Sequence, residues 1–179
     1  MDRFALFTDV SVNPHTRQGV GGYLLLPVSF LDNDPRDINR DDIAKQLMIK
    51  GFSDTSSTRL EVQTVLWAVT DLQKKLSDTA LKNLMIYTDS QCVVGLLKRR
   101  EQLVLNDFIA KSSAKLLTNA ILYREFYAAH DRFSFQLFKV SGHSRTGSQT
   151  TIQRIFSYVD REVRSVLKKA GPCSVPAFR

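Results

Sequence analysis

Four carboxylates in this chain stand where a carboxylate needs a reason. Asp89 follows the apolar run Leu84, Met85, Ile86, Tyr87 after Thr88 and precedes a helical pattern opened by Ser90. A run so short and so uniformly apolar reads as a strand buried on both faces, which puts Asp89 at a strand-to-helix corner. In open α/β sheets such corners bind ligands. Asp9 repeats the arrangement after Phe4, Ala5, Leu6 and Phe7. Glu61 lies in the first turn of the most regular helix of the first half, and Asp160 falls inside the apolar stripe of the last helix, between Phe156 and Val163. An ionised carboxylate facing a core costs several kcal/mol unless it is paired or bound to a cation.

Each acid also has a purely structural explanation. Asp89 can cap its helix, for about 1 kcal/mol. Glu61 completes a capping-box pattern with Thr58, and Arg164 stands one turn beyond Asp160 as an ion-pair partner. Gathered at one sheet edge, however, three or four carboxylates repel each other unless divalent cations neutralise them. Oxygen-only ligands select hard ions, chiefly magnesium or manganese, and two such ions about 4 Å apart serve in-line phosphodiester displacement.

The elements that must position these acids follow from periodicity. Strands are expected at Arg3 to Thr8, at Gly19 to Pro27 behind glycines that permit close backbone approach or a bulge, and at Ala44 to Phe52, where a helical start competes. Val62, Val65, Leu66, Val69, Leu72 and Leu76 make a helical stripe capped by Ser57 or Thr58. After the Asp89 corner the helix ends in Lys98, Arg99 and Arg100, and a broken helical stretch runs from Asn106 to Ala129. A strand at Phe133 to Val140, a Gly, Ser and Thr-rich loop holding His143 and Arg145, and a helix from Thr151 to Lys169 complete the order. The polar loop from Leu31 to Asp42 holds five aspartates but lacks the ligand order of a calcium loop and is assigned no chemistry.

Composition narrows the class. The 179 residues, 43% hydrophobic and 24% charged, fit one soluble domain, and no apolar run approaches the ~20 residues of a membrane span. MDRFALFTDV does not read as a signal peptide, and two cysteines, Cys92 and Cys173, give neither metal spacing nor a disulfide framework. A reducing, cytoplasmic setting is expected. The net charge of +7 fits a polyanionic partner, since neutralising phosphates releases counterions.

In order along the chain, TDVSVNP with Asp9, STRLEVQTVLWAV with Glu61, YTDSQCVVGLL with Asp89, KVSGH with His143 and VDREV with Asp160 resemble type 1 ribonuclease H. The resemblance implies an α/β, ribonuclease H-like fold: a mixed five-stranded sheet with helices on both faces. The resemblance runs from Phe4 to about Lys168, so residues 1–170 are expected to form one catalytic domain and 171–179 a C-terminal extension. It implies a metal-dependent endoribonuclease that hydrolyses the RNA strand of RNA/DNA hybrids with two Mg2+ ions, Mn2+ being a possible substitute. Carried over residue by residue, Asp9 bridges both ions, Glu61 and Asp89 complete one site, Asp160 completes the water-activating one, and His143 assists proton transfer or product departure. Asn13, Ser57, Thr58 and Gln91 match positions that contact the substrate, where the 2′-hydroxyl distinguishes RNA from DNA. Ser57 and Thr58 stand where the family often has asparagines, Val10 replaces a usual glycine, and no tryptophan-rich basic handle follows Arg100.

Other readings make different demands. A proofreading-type exonuclease wants a second acid two residues after the first, where this chain has Ser11. Transposase or integrase cores usually carry DNA-recognition domains, for which there is little room. A catalytically weak nucleic-acid-binding or scaffold domain of the same fold would not need all four acids together. No membrane association and no obligate protein partner is expected.

Overall fold

The computed structural model describes residues 3–141 and 148–170. β1 (Phe4–Asn13) and β2 (Gln18–Pro27) form a hairpin paired without interruption from Phe4↔Pro27 to Asn13↔Gln18. The strand expected to stop at Thr8 therefore runs on: Val10, Ser11 and Val12 stay on the ladder, and Asp9 lies in mid-strand rather than at its end. β3 (Met48–Phe52) adds antiparallel to β2, while β4 (Met85–Thr88) and β5 (Gln136–Lys139) add parallel on the other side of β1. The result is the expected mixed five-stranded sheet, in the order β3-β2-β1-β4-β5.

Side chains alternate across a strand, and β1 sorts its residues accordingly. Leu6 joins Tyr23 and Ile86 under α2 (Ser57–Leu72), α4 (Gln91–Leu105) and α5 (Ala120–Phe133). Ala5 and Phe7 join Val20, Leu24 and Tyr87 under α1 (Arg40–Gln46) and α6 (Thr151–Ala170). Burying a side chain such as Phe7 contributes roughly 1.5–3 kcal/mol relative to exposure, so each face is held by its own apolar cluster. Two glycines of β2 let the helices sit close. A methyl group on Gly21 would overlap Thr64 of α2, and one on Gly22 would overlap Val163 of α6.

Elsewhere local competition decided the outcome. The expected strand from Ala44 begins as α1, because the Asn39 side chain accepts from the amides of Asp41 and Asp42 and nucleates a helix inside the acidic loop. α3 (Asp78–Lys82), capped by Ser77, is too short to show periodicity. The broken helical stretch expected from Asn106 to Ala129 is helical only from Ala120: residues 106–119 form turns and an isolated bridge between Ile109 and Leu116, with Asp107, Phe108 and Ala114 at positive φ. α5 runs through Phe133 and stops at Ser134, whose left-handed φ of 50° ends the helix and delays β5 to Gln136. Among the described residues no helix is long and apolar enough to cross a membrane.

Candidate active site

Register brings Asp9 and Asp89 together. β1 and β4 run parallel with Phe7 opposite Tyr87, and each acid follows its paired residue by two positions. Asp9, within β1, is on the face of Phe7, and Asp89 follows the end of the adjacent strand β4 at the same level, the strands being about 4.8 Å apart. Asp9 is only 8% exposed, and its Oδ2 is buried with no hydrogen-bond partner. Burial pushes its pKa up to about 8, with the Asp89 and Asp160 charges adding to the rise and the Val10 amide opposing it. A hydrogen bond with Asp160 adds to the rise, so burial among like charges favours the neutral form of Asp9, and a bound cation would relieve the same penalty.

Asp160 arrives from the covering helix. Val163 seats α6 against Gly22, and Gly22 is the strand partner of Asp9. One helical turn before that contact, Asp160 comes within electrostatic reach of Asp9. Its Oδ1 also accepts from Arg164 Nε at 2.6 Å, so the ion pair weighed as an alternative coexists with membership of the acid cluster.

Glu61 does not form the capping box. The N-cap of α2 is Ser56, whose side chain accepts from the Arg59 amide, and this places Glu61 beyond reach of the cap. Instead Glu61 Oε2 accepts from Ser90 Oγ at 2.5 Å. Burial raises its pKa, the Ser90 hydrogen bond opposes the rise, and the Asp89 charge adds to it. Ser90 is itself clamped: its Oγ accepts from the Val93 amide at 3.1 Å, capping α4, and its amide donates to Thr88 Oγ1 at 3.1 Å. The cap of α4 is therefore Ser90, not Asp89. Ser90 positions an acid from another element, a role that its place directly after Asp89 could not show.

The expected substrate contacts divide. Asn13 Oδ1 accepts from the amides of His15 and Thr16 and closes the hairpin tip. That tip lies beside the start of α2, joined by Thr55 N to Arg17 O at 2.9 Å and by the Arg17 to Asp54 ion pair at 2.8 Å. Ser57 and Thr58 are exposed there in the first turn of α2. Gln91 opens α4, and its Oε1 accepts from Lys139 Nζ at 2.5 Å. His143 and the extension 171–179 lie outside the described residues.

A family model described as RNase H matches residues 1–154. The chain belongs to the RNase H family. Asp9, Glu61 and Asp89 fall within the matched RNase H residues, whereas Asp160 lies beyond them and is tied to the cluster by the packing of α6. Among solved structures, the foamy viral protease-reverse transcriptase in complex with an RNA/DNA hybrid is similar over 97% of this chain, with a TM-score of 0.57 and 11% identity. The same viral protein in complex with dsDNA is similar over 92% of this chain, with a TM-score of 0.56 and 11% identity. This chain spans 20% of the first viral chain and 94% of the second. At that identity the likeness shows the RNase H-like fold. No curated protein matches.

Among the described residues no three acid, histidine or cysteine side chains already close around one cation position. Ser90 holds Glu61 and Arg164 holds Asp160, so two of the four acids are turned to protein partners.

Proposed function

We propose that this chain is a hybrid-specific endoribonuclease that cuts the RNA strand of RNA/DNA hybrids and uses magnesium, with manganese as a substitute. The observation that carries the reading is the buried, unpartnered Oδ2 of Asp9, facing the charges of Asp89 and Asp160. A buried polar atom without a partner costs free energy, and like charges around it add to the cost. A hard divalent cation removes both penalties, and a donor set made only of carboxylate oxygens suits such an ion. Asp9, Glu61, Asp89 and Asp160 would hold it. When bound, divalent cations lower the pKa of water and stabilise charge on a leaving oxygen, the chemistry of in-line phosphodiester hydrolysis.

The protein residues do the rest. The β1 and β4 backbones fix Asp9 and Asp89, Ser90 steers Glu61, and Arg164 holds Asp160 at the rim. Asn13, Ser57, Thr58 and Gln91 are proposed to meet the hybrid, and His143 to carry a proton near the cut, on its sequence context alone. The viral neighbour bound to an RNA/DNA hybrid supports that substrate class. The test is a labelled hybrid incubated with magnesium, beside duplex DNA and single-stranded RNA. Cutting confined to hybrid RNA and abolished by a chelator is expected. Salt-sensitive binding without metal-dependent cutting would leave a scaffold of the same fold.

A further inference from the structure

The outer face of α6 carries a second charged feature that meets the acid cluster only through Arg164. Arg161, Arg164, Ser165, Lys168 and Lys169 recur at positions that share one side of a helix. Together with Arg40 from the start of α1 they line a cleft of about 510 Å³. Arg40 is fixed across it by Glu162, whose Oε1 accepts from Nε at 2.8 Å and from Nη2 at 2.6 Å. Arg164 is fixed at its near end by Asp160. Arg161, Lys168 and Lys169 are exposed and, among the described residues, have no ion-pair partner.

Cations at a helix C-terminus favour the macrodipole, which accounts for Lys168 and Lys169 but not for Arg161, Arg164 or Arg40. Arg164 and Lys168, one turn apart, are like charges that oppose the helix rather than support it. Two acids border the stripe, Asp160 paired with Arg164 and Glu162 with Arg40, and the cations outnumber them, so the face keeps a positive excess that complements a polyanion. The stripe also starts beside Asp160, so what it binds is continuous with what reaches the acid cluster.

We infer that this face of α6 binds the phosphate backbone of a nucleic-acid duplex that extends beyond the cut site. The inference rests on the nuclease reading for its choice of polyanion. From Asp160 to Lys168 the helix advances about 12 Å at 1.5 Å per residue. Duplex phosphates advance about 3.4 Å per nucleotide on each strand, so the far end of the stripe meets phosphates about four nucleotides from the reacting one.

The experiment compares wild type with the triple variant Arg161→Gln, Lys168→Gln, Lys169→Gln on a long hybrid of about 20 base pairs and a short one of about 6. The triple variant is expected to raise KM on the long hybrid about tenfold near 0.1 M salt, with kcat unchanged and the short hybrid unaffected. The slope of log affinity against log salt should fall by about 2 to 3, close to one for each lost phosphate contact. An unchanged slope and KM, with both proteins still cutting hybrid, overturns this inference and spares the nuclease. A slope that falls although neither protein cuts overturns the nuclease and keeps the surface. Loss of binding to phosphatidylserine vesicles with hybrid binding intact assigns the face to a membrane and overturns the proposal. Should the triple variant melt early, the double variant Lys168→Gln, Lys169→Gln is expected to show about two thirds of the slope change, and none would count against the face.

Discussion

Asp9 is carried by strand β1 and Asp89 by the corner just past β4, Glu61 and Asp160 by helices, and the two pairs are held by different physics. Asp9 stands within β1 and Asp89 one residue past β4, just beyond a parallel ladder in which Phe7 pairs with Tyr87, so the backbone brings them to the same sheet edge. Asp9 is buried there, and burial first, then the nearby Asp89 and Asp160 charges, raises its pKa. The helix pair is placed by packing, α6 through Gly22 and α2 through Gly21, and aimed by single hydrogen bonds from Arg164 and Ser90. The fold thus combines a rigid, electrostatically uncomfortable half with an adjustable half that can turn to a cation or to protein partners.

Asp9→Asn attacks the rigid half and should have the largest effect. Hybrid cleavage is expected to fall on the order of 10³-fold, about 4 kcal/mol of barrier, against roughly 10- to 100-fold for Glu61→Gln. Equal losses in a side-by-side rate measurement would erase the distinction between the halves. Because the folded-state pKa of Asp9 is raised to about 8 from 3.8, its contribution to stability is fully present below about pH 4 and is lost as pH rises through about 8. Denaturant titrations in chelator should show wild type weakening across that window and Asp9→Asn weakening less. Magnesium at about 100 times its Kd should restore about 2.7 kcal/mol to wild type.

Gly22→Ala strikes the packing that delivers Asp160. It should cost about 1–3 kcal/mol by overpacking and lower cleavage in the same protein. Unchanged cleavage would show that close approach of α6 is unnecessary. Ser90→Ala removes both a cap and the hydrogen bond to Glu61, for a loss of about 1 kcal/mol in stability. Its magnesium half-saturation should rise about 10- to 100-fold, as for other partners that orient a ligand. The smallest effect is expected from Arg164→Gln, at most about 0.5 kcal/mol, since the guanidinium is largely exposed. If Arg164 merely restrains Asp160, magnesium half-saturation falls slightly; a rise would mean that it presents the carboxylate.

Much of this was legible along the chain. The apolar run before Asp89, the stripe of α2 and the stripe of α6 each produced the expected element, because their periodicities are local. The true extent of β1 was not, since turn-forming Asn13 and Pro14 are compatible with strand up to Asn13 once β2 pairs with it. Nor was the cap of α2: Ser56, Ser57 and Thr58 are all good caps, and only the backbone geometry selects Ser56. Ser90 was visible as a helix opener, but its hydrogen bond to Glu61 spans elements distant in the chain.

Residue order alone therefore determined the types of the long periodic elements, the basic balance and the identity of the acids, because hydrophobic period and composition are written in neighbouring positions. Strand register, the seating of α6 on Gly22 and the turning of Glu61 and Asp160 toward Ser90 and Arg164 were decided only in three dimensions. These are relations between segments far apart in the chain, set by which surfaces fit when the two faces of the sheet are covered, and no local pattern encodes them.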